Sequence, residues 1–384
     1  MPASAASGEQ RVGWLELFFD LVFVVAIAQL AGLGERHPDL GSVGVIAGVL
    51  VAVWATWNNT TLYVNMRGGV SARSRLLVFV SMAGVGVMAT AIPTITGAGQ
   101  VPFVIGYVIA RVAMWPLWTR EVRAEGRSWI GPLFYGPGLG ALWIATIAIP
   151  GPFRWIGWAA LLAVELILVA AELPGARHDA GHMIERVGLF IMIVLGESVF
   201  VLIMAITAHP DAASWTLGAL GFAVVCALWW RYVELTNGLR ERMTQGASGS
   251  IFRDVLVIAH YVVVLGLILL AAGLGGAIEH AGDSHLPSGV LFVLLSGLGV
   301  YELSQLIMAA RFAIHPAVAL LKIGPTGVVI AIVVLLGQDW TPAVIVGALL
   351  IGTIAQLGMS TLLRRLTTRG LSSSSSPSAA APRS

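Results

Sequence analysis

Residues Trp14 to Leu33 read WLELFFDLVFVVAIAQLAGL. A run of about 20 mostly apolar residues is long enough to cross a bilayer as a helix, yet this one carries Glu16 and Asp20 in its first turns. The rest of the chain decides which feature governs. Hydrophobic residues make up 57% of the 384 positions and charged residues 11%, with a mean hydropathy of +0.87. Soluble domains carry about 25% charged residues, so water is not the solvent for most of this surface. Runs like the first recur to Leu363 with short breaks between them. The fold class is an all-α integral membrane protein, with the lipid bilayer as its first partner.

Composition also excludes functions. The single cysteine, Cys226, rules out an intrachain disulfide. The phosphate-binding pattern G-x-x-x-x-G-K-[ST] is absent and Lys322 is the only lysine, so ATP-driven transport would need another subunit. No nucleic-acid partner or cofactor is expected. The N-terminus lacks a basic n-region, and acids interrupt its first apolar run, unlike a cleavable signal peptide.

Hydropathy predicts about twelve transmembrane helices, at 14–33, 40–63, 75–96, 101–120, 129–149, 153–172, 183–207, 214–235, 254–277, 289–311, 316–337 and 341–363. Arginines sort the loops. Arg67, Arg73, Arg75, Arg120, Arg123, Arg127, Arg177, Arg240, Arg242 and Arg253 fall on one side with both termini, and only Arg36 and Arg154 on the other. The positive-inside rule then places both termini in the cytoplasm of an inner (plasma) membrane protein. Residues 1–12 form a short cytoplasmic N-terminus, and the Ser/Ala/Pro-rich residues 366–384 a disordered tail.

The halves 13–172 and 183–365 resemble each other. YGPGLGALWIATIAI at 135–149 aligns with IGPTGVVIAIVVLLG at 323–337, Trp57 and Asn65 with Trp229 and Asn237, and Arg73, Leu76 and Gly86 with Arg253, Leu256 and Gly266. Two parallel six-helix repeats, related by an axis along the membrane normal, would leave a pathway between them. In spans 4 and 10 the alignment sets Arg120 on Arg311, Gly106 on Gly297 and Arg111 on Glu302. An ion pair across the axis is the expectation for the last two.

Charges inside the spans define the candidate site. Each Asp, Lys or Arg at mid-helix costs about 2.5–3.5 kcal/mol on insertion scales, and this chain carries Asp20, Arg111, Glu165, Glu197, Glu302 and Lys322 there, with His260. At 1.5 Å per residue most lie on the order of 10 Å from the arginine-rich helix ends, and Glu197 lies near the midplane. A polar vestibule open to the cytoplasm would gather them. Three stripes are candidates for its lining: Glu16, Asp20, Phe23 and Ile27; Arg186, Phe190, Ile193 and Glu197; and Thr353, Gln356 and Ser360. Cation or proton binding falls to Glu197, with Asp20, Glu302 and Glu165, and charge balance to Arg111, Lys322 and Arg186. Asp20, Arg111 and Lys322 serve equally well as structural ion pairs, and Glu16, Glu185 and Arg186 as solvated anchors. His178, His182 and Glu185 have the spacing of metal ligands but also of an ordinary surface, and no metal is assigned.

WLELFFDLVFVVAIAQL at 14–30 and HMIERVGLFIMIVLGES at 182–198 resemble the opening and central signatures of the bacterial low-temperature-requirement protein A (LtrA) family. The resemblance extends over about residues 12–365. It implies a multispanning inner-membrane protein whose loss impairs growth in the cold, and marks Glu16, Phe18, Phe19, Asp20, His182, Glu185, Arg186, Gly196, Glu197 and Ser198 without assigning their roles. It brings no substrate or reaction. The chain is also loosely similar to the lysosomal two-repeat potassium channel family. That family has a serine before the Asp in both repeats, whereas here Phe19 precedes Asp20 and the second half has VGLFIMI with no acid.

Taken together, these features favour a secondary transporter or ion-coupled permease for a small ion or solute. A cation channel, with a homo-oligomer around a pore, and a scaffold or enzyme needed in the cold are the alternatives. An enzyme would need a nucleophile or a metal with a base nearby, and no enzyme is expected.

Overall fold

A computed structural model describes residues 13–67, 71–172, 180–244, 251 and 253–374. Among them twelve helices are long and apolar enough to cross a membrane: α1 (Trp14–Arg36), α2 (Leu40–Met66), α3 (Ala72–Thr94), α4 (Gln100–Ala124), α5 (Ile130–Ala148), α6 (Gly151–Leu168), α7 (Gly181–Ala208), α8 (Ala212–Gly238), α9 (Asp254–Glu279), α10 (Ser288–Arg311), α11 (Pro316–Asp339) and α12 (Pro342–Leu363). Each coincides with an expected span. The helix of α12 runs on to Ser374, past the boundary expected at 365. Residues 1–12, His178 and residues 375–384 lie outside the described residues.

The first turn of α1 accounts for Glu16. An N-terminal helix turn leaves backbone N–H groups without partners, and Glu16 Oε2 reaches back to accept from the Gly13 amide at 2.6 Å. Further along, α9 is apolar on every side, as a helix buried all round must be. Of its most apolar window 78% is buried, against 11% for α6 and 17% for α11. So α9 is the central helix, packed on α1, α7 and α10, while α6 and α11 face outward with Ile156, Ile167, Leu335 and Leu336.

Two helix crossings are closed by glycine. A Cβ on Gly106 would stand 2.5 Å from the Gly84 carbonyl and 2.8 Å from the Met88 amide, and one on Gly84 2.7 Å from the Ala110 amide. In the second half a Cβ on Gly297 would stand 2.3 Å from the Leu270 amide, and one on Gly266 2.7 Å from the Tyr301 amide. Gly84, Met88, Gly106 and Ala110 thus meet as Gly266, Leu270, Gly297 and Tyr301 do. Gly86, by contrast, faces open space. α9 begins with a π-helical turn, Asp254–Ala259, which takes up extra chain without breaking the helix.

A second π-turn, Phe134–Gly138, lies in α5 around Pro137. Proline has no N–H to donate and disturbs the ladder, and in this turn the Leu139 N–H donates to the Phe134 and Gly136 carbonyls and passes over that of Tyr135, which can accept from a side chain.

Candidate functional site

The buried charges form three separate networks, not one vestibule. In the first, Asp20 is fully buried and its Oδ1 accepts from Trp57 Nε1 at 2.8 Å and from Arg186 Nη2 at 3.0 Å. Arg186 Nε lies 4.0 Å from Glu16 Oε1, and His182 Nε2 lies 3.6 Å from Glu16 Oε2. A void of about 10 Å³ touches Glu16, Thr60, Thr61 and Arg186, about the least volume that holds a water. The stripes of α1 and α7 therefore face each other, with Phe23 against Phe190 at 6.5 Å.

The second network lies in the first half. Arg111 Nη1 meets Glu165 Oε1 at 2.8 Å, and Nη2 donates to the Tyr135 carbonyl at 2.8 Å. The Tyr107 hydroxyl bonds both Arg111 and Glu165, and Trp143 Nε1 donates to Glu165 Oε1 at 2.8 Å. Arg111 also stacks on the Tyr135 ring, 4.3 Å from its centroid. A buried pair of this kind is tolerated only with such additional hydrogen bonds.

The third network lies in the second half. Arg231 donates to both oxygens of Glu302, at 2.5 and 2.8 Å, the bidentate geometry that a guanidinium favours. Gln356 Nε2 donates to Glu302 Oε2 at 2.9 Å, and its Oε1 accepts from the Thr326 hydroxyl. The expected Arg111–Glu302 pair across the halves is therefore overturned: each of the two is held within its own half. Arg111 balances Glu165, not Glu197, because Glu165 and Tyr135 flank its guanidinium on neighbouring helices.

Glu197 is buried on α7, and among the described residues no hydrogen bond or ion pair reaches its carboxylate. Next to it, Ser198 Oγ donates to the Val194 carbonyl at 3.4 Å, and Gly196 is exposed. Phe18 is exposed and meets Phe79 edge-on at 6.4 Å, while Phe19 is buried against Phe23 at 4.8 Å. Glu185 faces outward and Lys322 is half-buried on α11. His182 turns to Glu16 and away from Glu185, and among the described residues no three His, Cys, Asp or Glu side chains converge as metal ligands.

A cavity of about 540 Å³ opens among α2, α4, α5, α6 and α9. Arg111 and Glu165 border its inner end, and Glu121, Glu125, Arg127 and Arg253 its mouth on the arginine-rich side. None of the three expected stripes lines it. They are packed against protein instead: α1 against α7, and Gln356 of α12 against Glu302.

The family described as bacterial low temperature requirement A protein (LtrA) matches residues 11–362. The chain belongs to this family. An uncharacterised protein of Rhizobium meliloti (strain 1021) is 25% identical over 300 residues, covering 71% of each chain. No solved structure matches. In this LtrA-family protein the two family signatures meet in space: Asp20 of the first bonds Arg186 of the second.

Sequence reasoning missed Arg231, Trp57, Tyr107 and Trp143. Arg231 had a signal, a basic residue in the apolar run ALWWRYVEL. Trp57 carried only its match to Trp229 and no site role, and nothing singled out Tyr107 or Trp143, because aromatic residues are ordinary in membrane helices.

Proposed function

We propose that this LtrA-family protein is a secondary transporter or ion-coupled permease of the inner membrane, with both termini cytoplasmic, rather than an enzyme. The observation that carries the reading is the 540 Å³ cavity at bilayer depth. Its size is that of a small-molecule site, about 300–1,000 Å³, and a scaffold has no use for it. The arginine-rich loops at its mouth support that side as the cytoplasmic one.

Coupling falls to Glu197. Glu165, Glu302 and Asp20 each face an arginine within 3.0 Å, so their charges are already compensated. A carboxylate buried without such a partner is stable only with a proton or a cation.

The two halves form a parallel six-helix repeat on this reading, supported by contacts that recur with the same displacement along the chain. Trp57 Nε1 bonds Asp20 Oδ1 at 2.8 Å, and Trp229 Nε1 bonds Met192 Sδ at 3.0 Å. Trp229 follows Trp57 by the same number of residues as Met192 follows Asp20. The glycine crossings of α3 with α4 and of α9 with α10 recur as a contact pattern, though with a different displacement for each helix, and α5 and α11 each contain a proline, Pro137 and Pro325.

Ion flux in proteoliposomes, read separately for protons and potassium, tests the assignment. Wild type is expected to carry flux, and Glu197→Gln to lose it while keeping its unfolding temperature. Undiminished flux in that variant removes Glu197 from the mechanism, and no flux of either ion in wild type removes the coupling.

A further inference from the structure

We propose that the cavity among α2, α4, α5, α6 and α9 binds one uncharged, largely apolar organic solute bearing a hydrogen-bonding group. The proposal rests on the transport reading above and gives it a substrate class.

Charge comes first. At the inner end the Arg111 guanidinium is held by Glu165 at 2.8 Å and by the Tyr135 carbonyl at 2.8 Å. At the mouth, Glu121, Glu125, Arg127 and Arg253 line the cavity together. Arg127 pairs with Glu125 at 3.4 Å and Arg253 with Asp254 at 2.8 Å. The cavity lining thus carries three acids, Glu121, Glu125 and Glu165, and three arginines, Arg111, Arg127 and Arg253, with no excess of either sign. An ionic solute would lose its hydration there without gaining a counter-ion, whereas a neutral one meets Trp54, Trp115, Trp118 and Leu62 on the walls and Asn58 and Asn59 for hydrogen bonds.

The other half shows that this space can be filled. Asn59 corresponds to Arg231 at the displacement that relates Trp57 to Trp229. The Arg231 side chain crosses from α8 to Glu302 on α10, Gln356 brings α12 onto the same carboxylate, and α12 packs along α8. In the first half the short Asn59 makes no such crossing. Arg111, which corresponds to Glu302, turns instead to Glu165 on α6, and α2 touches α6 at few positions. One scaffold is closed by an arginine in the second half and left open by an asparagine in the first. The open volume is a feature of the sequence and not loose packing.

The test uses the full chain in lipid nanodiscs, with empty nanodiscs as blank, and equilibrium dialysis of three probes that share one ring system. These are neutral 2-naphthol, anionic 2-naphthalenesulfonate and cationic 2-naphthylmethylammonium. Saturable binding of one 2-naphthol per chain is expected, with both charged probes at least tenfold weaker. Asn59→Arg, which copies the closed half, should weaken 2-naphthol at least tenfold. Should that variant fail to fold, Leu62→Trp, which fills the cavity with an apolar ring, takes its place with the same expectation. Retention of 2-naphthol no greater than in empty nanodiscs overturns the proposal, as does equal binding of a charged probe. Undiminished binding in the folded variants overturns it too. So does a phospholipid, read by native mass spectrometry, that wild type retains and Asn59→Arg sheds, since the occupant would then be the bilayer. Binding without flux would remove the transport reading and leave the site; flux without 2-naphthol binding would do the reverse.

Discussion

At the scale of single residues, the same indole contact has different weight in the two halves. Trp57 donates to the buried carboxylate of Asp20, and Trp229 to the Met192 thioether on a half-exposed face. A hydrogen bond to a charged group contributes about 1.5–3 kcal/mol, so Trp57→Phe should lower stability by that amount in detergent unfolding. Trp229→Phe should stay within about 0.5 kcal/mol, as exposed substitutions do. Equal losses would mean that Asp20 is held by Arg186 alone. Arg231 and Glu302 give a second residue-scale test. Arg231→Leu leaves Glu302 buried beside Gln356 without a cation, a change that costs about 3–5 kcal/mol. Arg231→Leu combined with Glu302→Leu removes both charges and should recover most of that loss. A double variant no more stable than the single would show that the pair holds α8 to α10 by shape and not by charge.

At the scale of helices, backbone approach is the quantity that glycine controls. Gly106→Ala places a Cβ 2.5 Å from the Gly84 carbonyl, where backbone must move. Overpacking of this kind costs about 1–3 kcal/mol or more. Gly86, two residues from that crossing, has open space at its Cβ, so Gly86→Ala should gain up to about 1 kcal/mol from helix propensity. Unfolding temperatures of the two variants on either side of wild type would establish the crossing, and a stable Gly106→Ala would refute it. The helices themselves were legible in the sequence, because a run of apolar residues of bilayer length has few other outcomes. Their pairing was not. Glu165, Arg111 and Glu302 stood out as costly charges, but which arginine meets which carboxylate depends on how α4, α6, α8 and α10 rotate about their axes. Hydropathy carries little of that information in spans apolar on most sides. The α5 π-turn had a visible cause in Pro137, whereas Asp254–Ala259 contains no proline to reveal the π-turn that opens α9.

At the scale of the whole molecule, the arginines, the cavity mouth and the chain's two ends make one orientation argument. Arg123, Arg127, Arg253 and Arg311 lie on the side where the cavity opens, and Asp254 is clamped there between Arg253 at 2.8 Å and Arg311 at 2.7 Å. The opposite loops carry Asp39, Asp211 and Asp283. An even number of spans returns the chain to the side on which it starts, so the positive-inside rule applied to one loop fixes every other. With Cys226→Ser as background, Ser128→Cys and Ser284→Cys report the two faces, both positions being exposed. A membrane-impermeant maleimide on intact spheroplasts should label Ser284→Cys at once and Ser128→Cys only after permeabilisation. The reverse pattern would turn the cavity mouth outward, so that the solute would enter from outside and Arg127 and Arg253 would lie outside the cytoplasm. Labelling of both positions from outside would mean that a helix between them does not cross, and α6, the least buried of the twelve, is the one it would point to. The six-helix repeat would then lose its parallel relation, because an odd number of crossings per half inverts the second half against the first.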